Sequence, residues 1–517
     1  MADAETPADV VRFAAERLRA YNAAEARALD RAAQASGIDG FELMRRAGLA
    51  ALDAIAARYP QARELRLLAG KGNNGGDAYV VAGAARKTGW RVRLWQVIGD
   101  ARDLTGEAAQ ARDWAAELGV EPETGTIDLG EVGSGALVVD GLFGTGLTRD
   151  IDGDLRDLVL RLNAQALPVV ALDVPSGLDA DNGAVRGTVV HADMTVTFIG
   201  QKLGLLTGQG PAVSGHTLVA ELGLAPARLL PAAGVEVLDA RAARLPARRA
   251  TAYKNQFGHV VLLGGDHGGG GAIMLAAEAA LRAGAGLVSV GTRAEHVQPL
   301  LTRRPEIMVR PVESRPEAAA LIERASVVCV GPGLGTAGWG EQLLAAAVEA
   351  NKPLIVDADG LNLLAQRGDL SLPSQAFLTP HPGEAARLLE ISSADVERDR
   401  VAAVSALARR HAAHVVLKGA GSLVANADGL RAVCVAGNPG MASAGMGDAL
   451  AGAVAALVAQ RGADTAALGA AVAAHAAAGD RAAARIGEPG LLASDLIAEL
   501  PAVLSGAASA ASDASDA

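Results

Sequence analysis

Three segments in the first half of this chain place polar side chains where chemistry could be done: GKGNNGGDAYVVAG (70–83), VVDGLFGTGLTRD (138–150) and ALDVPSGLD (171–179). Each continues from an apolar run that reads as a β-strand. The first supplies an amide pair and a carboxylate (Asn73, Asn74, Asp77). The second supplies a carboxylate, Asp140, and a glycine loop, and the third a carboxylate followed by a hydroxyl (Asp173, Ser176). A glycine-rich turn lets backbone N–H groups approach a phosphate, and the helix that follows, expected from Asp77 to about Thr88, adds positive potential. The turn has no lysine in the Walker position and is not GxGxxG, so it makes a different polar cup. Any one of these segments could be ordinary turn chemistry. Three together, each at the carboxyl end of a strand, point to a ligand site.

The second half has a comparable segment, GNPGMASAGMGDALAGAVAALVAQ (437–460). A glycine-rich stretch leads to Gly447-Asp448, where a long Ala/Leu helix is expected to begin. Backbone N–H groups there could hold developing phosphate charge, and the carboxylate could take a proton from an attacking hydroxyl. Asp448 also suits an N-cap. His381, between Pro380 and Pro382, reads as pocket lining or as a plain loop histidine. Asp357 and Asp359 in VDADGLN suit phosphate or metal positioning, or turn and helix capping, equally well. The GGGG run at 268–271 could cradle a phosphate or form a turn before a helix over 272–283. His411 and His414 are expected on a solvated helix face, since no third ligand accompanies them. Ser176 has no GxSxG elbow around it.

These residues need strands to carry them. Short apolar runs alternate with Ala-rich helical stretches: 64–70, 90–99, 136–141, 167–175 and 194–200 in the first half, and 259–265, 286–292, 326–333, 352–360, 376–383 and 414–421 in the second. Near-continuous apolar strands between helices imply parallel sheets covered on both faces. An Ala-, Pro- and Arg-rich stretch around 225–245 separates the two blocks, with the linker expected at 230–238. The 517 residues are half hydrophobic but only 3% aromatic, so the cores must be close-packed Ala, Leu and Val. The net charge of −11, without a Lys/Arg-rich block, disfavours nucleic acid and membrane surfaces as partners. Cys329 and Cys434 sit in apolar runs and read as core thiols. The acidic N-terminus has no signal-peptide pattern and the longest uncharged run, Thr465–Gly479, is too short to span a bilayer, so the cytoplasm is expected. Residues 1–24 read as a leader and 506–517 as a disordered tail.

GNNGGDA, VVDGLFGTGL and LDVPSGLD resemble the signatures of the NAD(P)H-hydrate epimerase family over about residues 25–225, with Ala78 replacing the last glycine of the family's NNGGDG. The resemblance implies that a damaged nicotinamide nucleotide contacts Asn73, Asn74, Gly75, Gly76 and Asp77. It extends those contacts to Gly144, Thr145, Gly146, Leu147, Thr148, Arg149 and Asp150, and to Asp173. It also implies a K+ ion with oxygen ligands from Asn74, Asp140 and Ser176, donors that suit a hard, weakly charged cation. Asp173 is then the candidate acid/base at the C6 hydroxyl of the reduced ring.

KNQFGHVVLLGG, GGAIMLAAEAALRAGAGLVSV, VGPGLG, VDADGLN, LTPHPGE, VLKGAGSLV and NPGMASAGMGDALAG resemble the ribokinase-like superfamily, and more closely its NAD(P)H-hydrate dehydratase branch, over about 240–505. The family's GGTGD reads Ala444-Gly445-Met446-Gly447-Asp448 here, which keeps the Gly-Asp and lacks the threonine hydroxyl. The resemblance implies that Ala272, Gly333, His381 and Asp448 meet the nicotinamide hydrate. Lys418, Gly419, Ala420, Gly421, Ser422 and Gly447 would bind the adenine nucleotide, and Asp448 would be catalytic. ADP with Mg2+ is the expected cofactor, although the residues do not distinguish ADP from ATP.

The expected architecture is α/β in two domains: a Rossmann-like three-layer αβα epimerase domain over 25–230 and a ribokinase-like α/β dehydratase domain over 238–505. The expected function is repair. The first domain would interconvert the R- and S-hydrates of NADH and NADPH. The second would dehydrate the S form while converting ADP to AMP and phosphate. The partners expected are these small molecules and further copies of the chain in a homo-oligomer. The competing reading is a ribokinase-type small-alcohol kinase with a nucleotide-sensing front domain.

Overall fold

The computed structural model describes residues 19–129, 135–368 and 370–506. Most of the expected leader and nearly all of the expected tail lie outside those residues. By internal contacts the chain divides into two units, Met1–Glu236 and Val237–Ala517. The stretch expected as a linker is structured: a short helix Pro226–Leu229 is followed by strand residues Val235–Leu238.

The first unit is built on six parallel strands: β1 (Glu64–Ala69), β2 (Arg91–Gln96), β3 (Ala136–Gly141), β4 (Val169–Leu172), β5 (Met194–Phe198) and β6 (His216–Ala220). They lie in the order β2-β1-β3-β4-β5-β6. Order reverses between β1 and β3, the place where an open α/β sheet leaves a crevice. Both faces of β1 are covered: Leu65 and Leu67 pack into one apolar cluster and Leu68 into another. That explains why the strand sequences are apolar throughout rather than alternating. Helices α1 (Ala23–Ala35), α2 (Gly40–Arg58), α3 (Asn73–Lys87), α4 (Gly106–Glu117) and α5 (Gly153–Asn163) flank the sheet.

Helix α3 begins at Asn73, four residues earlier than expected, so the cup is the first turn of the helix itself. Asn and Gly are poor helix formers. Here packing outweighs propensity, because a β-carbon on Gly75 would overlap the carbonyl oxygen of Gly70 at the end of β1. Only glycine allows the helix to start so close to the strand.

The second unit orders its strands β9-β8-β7-β10-β11-β12-β13-β14-β15: β7 (His259–Leu263), β8 (Leu287–Thr292), β9 (Met308–Pro311), β10 (Val327–Val330), β11 (Leu354–Val356), β12 (Ala376–Leu378), β13 (His414–Leu417), β14 (Ser422–Asn426) and β15 (Gly429–Cys434). Strands β7 to β13 pair in parallel, and β14 and β15 are antiparallel additions. Its helices include α6 (Gly270–Arg282), α7 (Ala358–Gln366), α8 (Pro382–Leu389), α9 (Arg400–His411), α10 (Met446–Arg461), α11 (Thr465–Ile486) and α12 (Ala493–Ser505). One core joins alternate residues of the strands, such as Val260, Cys329, Ile355 and Val416, to the Ala-rich faces of α6, α10 and α11. Helices α6 and α10 approach so closely that a β-carbon on Gly452 would overlap the carbonyl oxygen of Ala276.

Three expectations change here. Helix α10 starts at Met446, so Asp448 is its third residue and not its cap, and Gly445 holds the cap position with φ 85°. Helix α6 starts inside the GGGG run, at Gly270. His411 and His414 do not share a helix face. Ala412, with left-handed φ 48°, ends α9 between them, and His414 opens β13 with its Nδ1 2.8 Å from Thr465 Oγ1.

Candidate active sites

A cavity of about 550 Å³ opens at the carboxyl ends of β1, β3 and β4. Asn73, Asn74, Asp77, Gly144 to Arg149 and Asp173 all line it. Of the residues expected here, Gly75, Gly76 and Asp150 do not. Gly75 packs on the β1 turn, Gly76 faces Met44, and Asp150 lies beside Gly187.

Asn74, Gly144 and Asp173 adjoin: a β-carbon on Gly144 would sit 3.1 Å from Asp173 Oδ2 and 3.4 Å from Asn74 Cγ. Asp173 is held in the left-handed region at φ 63°, a conformation that costs energy for a non-glycine residue and recurs at functional sites. Its Oδ1 accepts from Thr197 Oγ1 at 3.2 Å and lies 2.6 Å from Lys202 Nζ. Lys202 is nearly buried and also donates to the Phe198 carbonyl at 2.7 Å. Two further carboxylates line the cavity, Asp77 and Asp30. Burial, reinforced by Asp173 and Asp30, pushes the Asp77 carboxyl well above the usual carboxylate range. Burial also raises Asp30, with Lys202 opposing. Lys202 and Asp30 escaped the sequence reading because neither belongs to a motif.

Beneath the cavity Asp140 is fully buried in β3. It accepts from Ser176 Oγ at 2.6 Å, Ser176 N at 2.8 Å and Leu142 N at 3.2 Å. Ser176 Oγ in turn accepts from Phe143 N at 2.9 Å, so this hydroxyl is a structural link between two loops. Burial raises the Asp140 carboxyl, the Ser176 hydrogen bonds oppose that, and among the described residues no cationic side chain pairs with it. The side-chain amide of Asn74 is buried with neither its oxygen nor its nitrogen hydrogen-bonded. A buried carboxylate without a counter-charge and an orphaned amide are what a bound monovalent cation would satisfy.

The second constellation lies at the carboxyl edge of β7 and β10 to β13. Asp357 directly follows β11 and is buried. It occupies the N-cap position of α7 without making a side-chain cap bond. Instead its Oδ1 accepts from Thr379 Oγ1 at 2.6 Å and from Lys418 Nζ at 3.1 Å. Lys418 Nζ also lies 3.7 Å from Glu384 Oε2. A β-carbon on Gly447 would sit 3.2 Å from Lys418 Nζ, so the lysine faces the first turn of α10. Asp448 is in the same turn. Burial and Asp357 push its carboxyl up to about 7, against Lys418 and with additions from Asp359 and Glu384. Burial works to lower the Lys418 pKa, but Asp357 and Glu384 hold the ammonium above its usual value.

His381 caps α8, its Nδ1 accepting from Gly383 N at 3.0 Å, and it remains half exposed beside Glu384. Burial and the nearby Lys418 lower its pKa. Gly333, at φ 58°, packs against the Gly269 carbonyl that also accepts from Ala272 N at 3.2 Å, so Gly333 and Ala272 share one turn. Asp359 accepts from Gly335 N at 2.9 Å and ties that turn to α7. Gly419 to Ser422 form the exposed turn from β13 to β14, with Gly419 lying over the buried Arg400 guanidinium. Among the described residues no three His, Cys, Asp or Glu side chains converge into a self-contained metal cage.

Residues 40–204 match the family described as YjeF-related protein N-terminus, and residues 260–502 match NAD(P)H-hydrate dehydratase. The bifunctional NAD(P)H-hydrate repair enzyme of Coxiella burnetii is 43% identical over 494 residues, covering 93% of this chain and 98% of that one. The Escherichia coli enzyme of the same name is 43% identical over 475 residues, covering 92% and 91%. The solved ADP/ATP-dependent NAD(P)H-hydrate dehydratase of Bacillus subtilis, co-crystallised with ATP and Mg2+, is 29% identical, covering 51% of this chain and 94% of that one with a TM-score of 0.47.

Proposed function

The chain belongs to the bifunctional NAD(P)H-hydrate repair enzymes, and from that premise we propose how its two sites divide the work. The observation that carries the proposal is that each unit gathers its own aspartate, Asp173 or Asp448, with a lysine at the carboxyl edge of its own sheet.

In the first unit the hydrate lies in the cavity lined by Asn73, Asn74, Asp77 and Gly144 to Arg149, with its C6 hydroxyl toward Asp173. Breaking the C6–O bond needs a proton on the departing hydroxyl and leaves a cationic ring. Asp173, beside Lys202, faces that cation, and Asp77, whose acid form burial favours, holds the proton that the departing hydroxyl takes. Water then adds at C6 from the other face, and its proton returns to a carboxylate. K+ would be held by Asn74, Asp140 and Ser176, and would supply fixed positive charge near the phosphates. The orphaned Asn74 amide supports this placement.

In the second unit ADP lies along Lys418 to Ser422 and Gly447, with the hydrate against Ala272, Gly333 and His381. Asp448 takes the proton of the C6 hydroxyl as its oxygen attacks the terminal phosphorus, and the bond to AMP breaks. Phosphate then leaves C6 with the bonding pair while C5 gives up a proton, which restores the dihydropyridine. A hydroxyl leaves poorly near neutral pH and phosphate leaves well, which gives nucleotide consumption its chemical reason. Mg2+ would screen the transferring phosphoryl oxygens. A cytoplasmic location and a homo-oligomeric assembly complete the reading. Among the described residues no helix is long and apolar enough to cross a membrane.

The test mixes purified protein with both hydrate epimers, with and without ADP or ATP, and follows the near-ultraviolet absorbance of the reduced ring. Epimer exchange without nucleotide and recovered NADH with it are expected. A stable phosphorylated product would instead mark a small-alcohol kinase.

A further inference from the structure

Helix α11 is nearly all Ala, Leu, Val and Gly on its buried side, and His475 is the one polar residue among them. Burying an imidazole in such a face is costly unless it is hydrogen-bonded. His475 Nε2 lies 2.9 Å from the carbonyl oxygen of Met446, the first residue of α10 and two before Asp448. A carbonyl only accepts, so Nε2 carries the hydrogen and donates it.

The neighbours of His475 on the same face touch the same loop. Residues at i, i+1, i+4 and i+5 share one side of a helix. A β-carbon on Gly437 would sit 3.7 Å from Ala476 Cβ. A side chain at Gly479 would collide with Met441 Sδ. Asp480 accepts from Gly437 N through Oδ2 and from Asn438 Nδ2 through Oδ1, each at 2.9 Å. Asn438 Oδ1 then accepts from Gly440 N at 3.1 Å. Thus Asp480 ties down the entry of the Gly437–Gly445 loop and His475 ties down its exit. Ser443 Oγ donates to the Leu491 carbonyl at 3.0 Å and fixes the middle.

Resting on the dehydratase reading, we infer that His475 and Asp480 are positioning residues of the second active site: their face of α11 is the bed that sets the height and tilt of the α10 N-terminus, and so the aim of Asp448. Neither side chain takes part in proton transfer to the substrate. The His475 bond fixes the Met446 carbonyl, and Gly447 and Asp448 follow in the same helical turn. A fraction of an ångström at that turn separates an in-line attack from a missed one.

The test measures steady-state dehydration with ADP or ATP, and epimer exchange, on the full chain. His475→Leu is expected to lower kcat about 100-fold, with the KM for nucleotide nearly unchanged and epimer exchange intact. His475→Gln, whose amide can still donate to Met446, restores most of the rate. In an Asp448→Asn background His475→Leu adds no further loss, because it acts through that carboxylate. Asp480→Asn turns an acceptor into a donor facing Asn438. It is expected to lower kcat and to speed hydrogen exchange across residues 437–446, and it serves as the primary variant if His475→Leu does not fold. Full dehydration rates in these variants, or losses that multiply with that of Asp448→Asn, would overturn the inference alone. Wild-type protein that recovers no reduced coenzyme with either nucleotide would remove the dehydratase reading and the inference with it.

Discussion

The Lys202 ammonium stands 2.6 Å from Asp173 Oδ1, and both groups are largely withdrawn from solvent. Lys202 reaches across from a turn that is itself held in an unusual backbone state, with Ile199 at φ 63°. Two strained residues thus frame one ion pair at the cavity wall: Asp173 within it, and Ile199 in the turn that carries Lys202. Strain of this kind persists only when surrounding packing enforces it.

Asp173→Asn keeps the left-handed backbone, which asparagine tolerates, and removes the charge. Epimer exchange is expected to fall by about 10² to 10⁴, the usual share of a positioned acid/base. Lys202→Met is expected to cost a similar factor, because it leaves a buried carboxylate without its cation. Chromatographic separation of the two epimers over time, without nucleotide, measures both. Dehydration of pure S-hydrate by either variant should match wild type, and a variant that exchanges epimers at full rate would remove that residue's role.

The orphaned Asn74 amide predicts a dependence on the monovalent cation. Exchanging K+ for choline is expected to slow epimer exchange and to lower the melting temperature of the first unit. Asn74→Leu fills the space with apolar atoms, and both rate and melting temperature should then lose their sensitivity to KCl. Identical salt titrations of wild type and Asn74→Leu would sink the cation assignment.

With Asp448 pushed up to about 7, its base form is only partly available at neutral pH. The kcat/KM for dehydration is expected to rise as pH passes from about 6 to 8 and then to level, since the ionised carboxylate is the active form. Asp448→Asn should lose the rate about 10³-fold and flatten the profile. Initial rates of absorbance recovery across this range, at saturating nucleotide, check both. A wild-type profile with no inflection there would argue against Asp448 as the base.

His475 makes the second unit acid-sensitive. Folded, burial lowers its pKa from the usual 6.5 to about 4, with Lys418 assisting and the Met446 bond opposing. Between those values the unfolded chain binds more protons than the folded one, so stability rises with pH. It is full above about pH 6.5 and declines as pH falls toward 4, by about 3 kcal/mol in total. Urea unfolding followed by hydrogen exchange of residues 446–486 at several pH values should show this fall. The His475→Gln variant should show a shallower one.

The alternation of apolar strands and Ala-rich helices made the two sheets legible in the sequence, as did the acids at their carboxyl ends. Other features were hidden for physical reasons. The helix that begins at Asn73 contradicts local propensity and exists because Gly75 lets the backbone close on Gly70. Strands β14 and β15 carry no long apolar run, and only Asn426 and Asp428 mark the turn between them, where Asn426 Oδ1 accepts from Asp428 N at 3.1 Å. The spacing of His411 and His414 looked helical because nothing in the residue types announces that Ala412 reverses the chain. Lys202, Asp30 and His475 sit outside any glycine-rich signature. Each becomes visible only through a partner far along the chain.

The approach of Gly452 to the Ala276 carbonyl makes a missing methyl group a structural part. The distance between α6 and the helix that bears Asp448 is set by what is not there. Stabilising this half by filling it with larger side chains is therefore closed off at that crossing. Any gain in packing bought with an added carbon would be felt at the catalytic turn, about one helical turn away.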